Sequence, residues 1–184
     1  MSVPLLYVLR HGETAWNTQG RLQGWQDSAL TPKGRDHAAR QGDILADTLS
    51  GDEHWVTSPL GRAQHTAQIA GAPAQLAQDA RLREIDMGAW TGWTSAQITA
   101  ERPDLEGFAR YHAIPKGETI EDVTARVAAF LADCAGPTVV VTHGITSRIL
   151  RCLATGQPAD RFAEIGGGQG VVYRIEAGVQ NLLS

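Results

Sequence analysis

Two histidines in this sequence each follow a short run of apolar residues and each precede a glycine. Residues 5–10 lead into His11, and residues 138–142 lead into His143 and Gly144. Such runs are typical of short buried strands, so each histidine is expected where a strand ends. In open α/β sheets, ligands bind at the carboxyl ends of the strands. The pattern therefore predicts a site with two imidazole rings at one edge of a sheet.

Arginines are expected beside the same histidines. Arg10 ends the first predicted strand, and Arg62 lies in the first turn of a helix predicted after a second strand. Guanidinium groups bind phosphate oxygens in a bidentate way, and a transferring phosphoryl group spreads negative charge over three oxygens. A helix predicted to begin near Ile145 adds backbone N–H donors at this edge. Together with His143, these groups predict a phosphoryl site that needs no metal and no cofactor.

His11 is the predicted nucleophile. A neutral imidazole attacks phosphorus, and the resulting phosphohistidine divides one difficult hydrolysis into two easier steps. The positive charges of Arg10 and Arg62 lower the pKa of His11, which favours the neutral ring. The leaving oxygen also needs a proton. Glu84, in the segment LREIDMG, is the predicted proton donor, and Asp86 is the alternative.

Two other roles for this set of residues are considered. His11, His143 and Glu13 could hold a metal ion, but the flanking arginines would repel a cation. A phosphoryl-binding scaffold that has lost turnover is the second alternative. It gains little support, because none of the predicted catalytic residues is missing from the sequence. We therefore favour catalysis by the whole set over either alternative.

The segments that must position these residues alternate between strands and helices, which favours an α/β fold. Helices are predicted at 32–49, 58–71, 120–134 and 145–154, and further strands at 54–57, 138–142 and 170–176. Residues 90–116 are expected to form a small irregular or helical cap over the carboxyl edge of the sheet. We expect one domain that spans residues 1–184.

Composition limits the classes of partner. The chain has 184 residues, of which 42% are hydrophobic and 20% charged, as in ordinary soluble domains. A formal net charge of −4 provides no basic surface for nucleic acid. The apolar residues 3–9 are too few for a signal peptide or a membrane span. We expect a cytoplasmic protein with a small phosphorylated substrate and no nucleic-acid or membrane partner, and a homodimer is left open.

Six segments, in order along nearly the whole chain, carry a recognisable pattern. They are LRHGETAWN, RLQGWQDSALTPKG, TSPLGRAQHTA, LREIDMGAWTG, GETIEDVTARV and VVVTHG. Together they resemble the signature of the histidine phosphatase superfamily, which has the phosphoglycerate mutase-like fold. The resemblance implies a three-layer α/β sandwich with a mostly parallel central sheet flanked by helices. It also implies that His11 is phosphorylated and that Glu84 is the proton donor. The phosphate or substrate contacts that it implies come from Arg10, Asn17, Gln23, Gly24, Arg62, His143 and Gly144.

The segment after Glu84 bears on the reaction, because phosphatases and mutases of this superfamily share the site. Mutases resemble one another in a basic, tyrosine- and glycine-containing segment there, and in longer insertions. Residues 85–92 read IDMGAWTG, which is closer to the glycine-x-tryptophan-x-glycine pattern of the phosphatase branch. We predict a phosphomonoesterase, with a cofactor-dependent phosphoglycerate mutase as the alternative. The residues that select the substrate are expected in the cap and in the loop after His11.

Overall fold

The first strand is buried on both of its faces and pairs with a neighbour along each edge, so it lies in the middle of a covered sheet. The computed structural model describes residues 3–184, and in it β1 (Leu6–Arg10) pairs with two neighbours. The other strands are β2 (His54–Thr57), β3 (Ala77–Gln78), β4 (Thr138–Thr142), β5 (Val172–Glu176) and β6 (Val179–Leu183). Their order is β3-β2-β4-β1-β5-β6. The first four strands pair in parallel, and β5 pairs antiparallel with both β1 and β6.

Side chains of β1 alternate between two apolar layers, as the period of a strand requires. Leu6 and Val8 belong to one buried cluster, and Tyr7 and Leu9 belong to the other. The first cluster includes α5 (Ile120–Asp133) and α6 (Gly144–Ala154), and the second includes α2 (Pro32–Ala46) and α3 (Gly61–Ile69). Helices thus cover both faces of a mostly parallel sheet, which confirms the predicted three-layer α/β sandwich.

Strand register brings the chemistry to one edge. Arg10 of β1 lies opposite Thr142 of β4. His11 and His143, which follow these two strands, therefore lie at the same edge of the sheet. The backbone N–H of His11 continues the ladder by donating to the Thr142 carbonyl oxygen at 3.0 Å. Ser58 follows β2 at the same edge, and its N–H donates to the Val141 carbonyl oxygen at 3.0 Å. Three strands therefore end in polar side chains that lie side by side.

Most helix boundaries follow their capping residues. Thr31 caps α2 by accepting from the Gly34 N–H at 3.0 Å, and Thr119 caps α5 in a capping box with Asp122. The predicted start of α3 at Ser58 was wrong. The Ser58 hydroxyl instead accepts from the Leu60 N–H, and the helix begins at Gly61. Within residues 3–184, no helix combines the length and apolarity needed to cross a membrane.

The cap consists of short helical pieces joined by turns, as expected. It contains a 3₁₀ turn at Gly88–Trp90, the helix α4 (Ser95–Glu101) and a second 3₁₀ turn at Gly107–His112. Trp90 and Ile98 are fully buried and join the same apolar cluster as α5 and α6. The cap is therefore packed on the domain core by its own apolar side chains.

Besides two 3₁₀ turns at Ala80–Leu82 and Ala159–Ala163, three short elements of the described chain have no counterpart among the predictions. They are β3, β6 and the four-residue helix α1 (Ala15–Thr18). β6 lies at the edge of the sheet, and Val179 and Leu182 are 60% and 57% exposed. A strand with this exposure lacks the alternation of apolar and polar residues by which strands are recognised.

Two glycines bring the loop after His11 into contact with α2. A Cβ atom at Gly12 would lie 2.1 Å from the Gly34 carbonyl oxygen, and one at Gly34 would lie 2.0 Å from the Glu13 carbonyl oxygen. Both contacts are with backbone, which cannot rotate away as a side chain can. The position of His11 is therefore tied to the first turn of α2.

We predict that Gly34→Ala lowers the free energy of unfolding by about 3 kcal/mol, because the new methyl group forces the two backbones apart. Helix propensity alone would predict a gain of about 1 kcal/mol. Gly136→Ala is the matched control, since nothing lies within 4 Å of a Cβ atom there. Urea unfolding of both variants provides the measurement. A Gly34→Ala protein as stable as the wild type would contradict the contact.

Candidate active site

A cleft opens at the carboxyl edge of the sheet, and the space in and just outside it measures about 700 Å³, part of it open solvent. Its walls come from the loops after β1, the segment around Glu84, the start of α6 and the cap. The structure brings most of the predicted site residues to this cleft, namely Arg10, His11, Asn17, Gln23, Gly24, Arg62, Glu84 and Gly144. His143 does not line the cleft. It is fully buried next to His11, with the two ring centroids 5.2 Å apart.

The hydrogen bonds of His11 identify its tautomer. Nδ1 lies 2.8 Å from the Gly12 carbonyl oxygen, which only accepts, so Nδ1 carries the proton. Nε2 lies 3.3 Å from Nε of Arg62, which only donates. Nε2 is therefore unprotonated and accepts from Arg62, and the backbone fixes the orientation of the ring.

Burial and nearby charge keep both imidazoles neutral. Burial lowers the pKa of His11 well below its usual value of 6.5, and the positive charges of Arg62 and Arg10 lower it further. The pKa of His143 is lowered in the same way, first by burial and then by Arg62. The neutral form that a nucleophilic attack requires is thus the resting form of His11.

Hydrogen bonds fix both Nη atoms of the Arg62 guanidinium group. Its Nη1 donates to the Gln26 carbonyl oxygen and to Oδ1 of Asp27, both at 2.7 Å, and Nη2 donates to the Gly24 carbonyl oxygen at 2.8 Å. Gly24 has a φ of +52°, and a Cβ atom there would lie 2.8 Å from the Met87 backbone nitrogen. Gly24 therefore provides a carbonyl group where a side chain would not fit. Asp27, which the sequence did not single out, is the charge partner of Arg62.

Glu84 occupies the N-terminus of α6. Its Oε2 accepts from the Ile145 N–H at 3.2 Å, and its Oε1 accepts from the Thr146 N–H at 3.1 Å. The prediction that these N–H groups face a phosphoryl group was wrong for both, because the carboxylate of Glu84 already binds them. A carboxylate is a favourable partner for the positive end of a helix dipole. Asp86 instead accepts from the Gly88 N–H at 3.0 Å and does not line the cleft.

His143 is fixed by a serine rather than by the cleft. Its Nε2 lies 2.7 Å from Oγ of Ser58, at the end of β2. Nδ1 is buried and has no hydrogen-bond partner among residues 3–184. The two histidines therefore lie next to each other, as predicted, but the ring of His143 lies behind the wall of the cleft and does not line it. Ser58 was missed because its partner lies 85 positions away in the sequence.

The glutamate that could have completed a metal site faces elsewhere. Oε1 of Glu13 accepts from the Thr31 hydroxyl at 2.9 Å, and Oε2 lies 3.6 Å from Nζ of Lys33. Within the described part of the chain, no three His, Cys, Asp or Glu side chains converge as metal ligands. The alternative site formed by Glu13 and the two histidines is thus not assembled.

Asn17 and Gln23 differ in what they can offer a ligand. Oδ1 of Asn17 accepts from the Thr14 N–H at 3.1 Å, and its amide nitrogen makes no hydrogen bond within residues 3–184. Nε2 of Gln23 donates to the Thr14 hydroxyl at 2.9 Å, and its Oε1 accepts from the Ser28 hydroxyl at 3.1 Å. Asn17 keeps a donor for the cleft, whereas Gln23 holds its own loop together.

Positive charge exceeds negative charge in the cleft. Arg10, Arg21 and Arg148 line it, and none of them forms an ion pair with a carboxylate in the part of the chain that the structure covers. Nε of Arg10 is buried without a hydrogen-bond partner there. Glu84 is the one carboxylate among the residues that line the cleft. The arrangement can accept an anionic ligand without a metal ion.

An ion pair from α5 holds the segment that carries Glu84. Arg126 donates to the carbonyl oxygens of Arg83 and Glu84 at 2.8 and 3.2 Å and pairs with Glu118 at 2.9 Å. Oε2 of Glu118 also accepts from the Asp86 N–H at 3.0 Å. The sequence motif around Glu118 gave no indication of this role. The available signal was Arg126 itself, a charged residue next to the buried Val127 in an amphipathic helix.

We predict that Arg126→Met lowers the free energy of unfolding by about 2 kcal/mol or more, because it leaves the carboxylate of Glu118, 18% exposed, without its partner. Arg161→Met is the control, since the ion pair of Arg161 with Glu164 is exposed and should contribute little to stability. Urea unfolding compares the two variants. Equal losses of stability would contradict the special role of the Arg126 pair.

The lowered pKa of His11 gives a second prediction. In the folded protein, NMR of the imidazole nitrogens should show Nε2 of His11 unprotonated at pH 6.5 and protonated only well below it, whereas in urea it should titrate near its usual value. In this pH range the unfolded chain binds the extra proton, so the free energy of unfolding should decrease as the pH falls below 6.5. A folded-state midpoint at or above 6.5 would rule out the neutral resting form.

Comparison with known proteins agrees with this geometry. The model of the histidine phosphatase superfamily (branch 1) matches residues 6–181. A probable phosphoglycerate mutase, GpmB of Enterobacter sp. (strain 638), is 39% identical over 165 residues, which cover 84% of this chain and 76% of the relative.

Two solved structures share the fold over nearly the whole chain. The protein of open reading frame Rv3214 from Mycobacterium tuberculosis has a TM-score of 0.84 at 30% identity, covering 98% of this chain and 96% of the other. The mycobacterial glucosyl-3-phosphoglycerate phosphatase Rv2419c, solved with VO3, has a TM-score of 0.79 at 32% identity, covering 93% and 92%. With a family model matched from β1 to β6, this chain belongs to the histidine phosphatase superfamily, branch 1.

Proposed function

We propose that this protein is a phosphomonoesterase that hydrolyses a small phosphorylated metabolite through a phosphohistidine on His11. The observation that carries the proposal is the unprotonated Nε2 of His11, fixed by the Gly12 carbonyl group, in a cleft with excess positive charge. The proposal includes a cytoplasmic location and requires neither a metal ion nor a cofactor.

In the first step, Nε2 of His11 attacks the phosphorus atom of the monoester. The N–P bond forms as the bond from phosphorus to the leaving oxygen breaks, and Glu84, which must bind a proton before this step, donates that proton to the leaving oxygen. Arg10 and Arg62 offset the charge on the three phosphoryl oxygens. Arg62 suits this task because the contacts of its Nη atoms already fix the guanidinium group. Its Nε–H, which donates to Nε2 of His11 in the resting site, must release that nitrogen for the attack.

In the second step, water attacks the phosphohistidine. Glu84, now ionised, accepts a proton from that water, and the bond between nitrogen and phosphorus breaks to release phosphate. His11 returns to its neutral form with Nδ1 still bound to the Gly12 carbonyl oxygen. The cleft opens to solvent, which allows water to reach the intermediate.

A phosphoglycerate mutase is the second candidate, because the relative at 39% identity bears that name. A mutase must return the phosphoryl group to its substrate and therefore keep water away from the phosphohistidine. The similar solved structure that is named a phosphatase and the IDMGAWTG segment both support the hydrolase. We therefore place hydrolysis first.

The test compares phosphate release from a panel of phosphomonoesters with the isomerisation of 3-phosphoglycerate. We expect release to exceed isomerisation, and His11→Ala to reduce release by about 10³-fold or more, because the nucleophile is lost. His65→Ala is the matched control, since His65 is an exposed histidine of α3 outside the cleft. Mass spectrometry of the rapidly quenched enzyme should show one phosphoryl group on His11.

Three results would contradict the proposal, each in a different way. Turnover that survives His11→Ala would exclude the covalent intermediate. Isomerisation faster than release would identify a mutase. A wild-type protein that releases no phosphate from any ester of the panel would favour the scaffold.

A further inference from the structure

The cleft has an apolar portion that the proposed reaction leaves unused. Six apolar or aromatic side chains line it, namely Leu22, Ile85, Met87, Phe108, Tyr111 and Ile145. Ile85 and Met87 are almost completely buried, whereas Phe108 and Tyr111 are half-buried at the cap. Phosphoryl transfer uses charged and polar groups, so this surface is available to the rest of the substrate.

Tyr111 and Glu84, the proposed proton donor, line the same cleft. Burial raises the pKa of Tyr111 to about 12, and the negative charge of Glu84 contributes to the shift. Because Glu84 protonates the leaving oxygen in the proposed reaction, the leaving group begins beside Glu84. The atoms that follow this oxygen must occupy the rest of the cleft, where Phe108 and Tyr111 of the cap form part of the wall.

The two aromatic rings are held in place from behind. Phe108 packs edge-to-face on the fully buried Phe162 with ring centroids 5.5 Å apart, and Tyr111 packs on the same ring at 6.4 Å. The guanidinium group of Arg148 lies 4.9 Å from the Phe108 ring centroid. Its Nη1 donates to the carbonyl oxygens of Phe162 and Ile165. The apolar surface is therefore fixed before a ligand binds, which reduces the entropy lost on binding.

We propose that the leaving group of the substrate carries an apolar ring, and that Phe108 and Tyr111 are the residues that select it. This inference rests on the proposed function for the direction of the leaving group. Burying a ring against these side chains removes apolar surface from water, and aromatic pairs add to the gain. A leaving group covered with hydroxyls would lose its hydrogen bonds to water against Phe108, whose side chain has no polar atom to replace them.

Binding of phosphonates, which cannot be hydrolysed, tests the preference without turnover. We expect calorimetry to show benzylphosphonate binding at least about ten-fold more tightly than 2,3-dihydroxypropylphosphonate. Phe108→Ala should remove most of this difference, and Tyr111→Phe, which keeps the ring, should preserve it. Leu105→Ala is the matched control, because Leu105 is a half-buried apolar residue of the same cap that does not line the cleft.

A second variant covers the case in which Phe108→Ala fails to fold. Phe108→Gln keeps much of the volume, removes the apolar face and should give the same loss of preference. Equal affinity of the wild type for the two phosphonates, or an unchanged preference in both Phe108 variants, would overturn the inference.

Turnover separates this inference from the proposed function. Benzyl phosphate and glycerol 3-phosphate are both esters of primary alcohols, and we expect kcat/KM to favour benzyl phosphate by at least about ten-fold. Tight binding of benzylphosphonate without any hydrolysis would reject the phosphatase and retain the apolar subsite. Hydrolysis of both esters at equal kcat/KM would retain the phosphatase and reject the subsite.

Discussion

The site depends on one constraint, which is that an imidazole must stay neutral while arginines surround it. Burial and positive charge both disfavour the protonated ring of His11, so the same groups that attract an anion also keep the nucleophile unprotonated. The Gly12 carbonyl group adds direction, because it fixes the proton on Nδ1 and leaves Nε2 without a proton. Electrostatics and geometry therefore favour the same state of the ring.

Much of the fold serves to hold that geometry. The parallel register of β1 and β4 brings both histidines to one edge, and the contact between Gly12 and Gly34 ties the loop after His11 to α2. The Gly12 N–H donates to the hydroxyl of Thr66 at 3.0 Å, which connects this loop to α3, the helix that carries Arg62. The nucleophile is thus positioned by three neighbouring elements and not by its own loop alone.

The sequence predicted those features that depend on local pattern. Buried strands, capped helices and the residues at strand ends can be read over a few positions, and His11 and Arg62 were found in this way. Partners joined only by the fold could not be found. Asp27 meets Arg62 across 35 positions, and Arg126 meets the Glu84 carbonyl group across 42. The N-terminus of α6 was assigned to a phosphoryl group because no local signal shows that Glu84 reaches it.

The carboxylate of Glu84 has a second consequence through the helix that it caps. Ile145 and Thr146, which bind it, lie within one turn of Arg148, and Arg148 packs on Phe108 in the cap. In the proposed reaction, Glu84 alternates between a charged and an uncharged form, so the start of α6 gains and loses an anion once in each catalytic cycle. Any effect of a ligand at the aromatic rings on the protonation of Glu84 must be matched by an equal effect of that protonation on the affinity for the ligand. The first turn of α6 is thus the route by which a ligand bound at the cap would alter the protonation of Glu84.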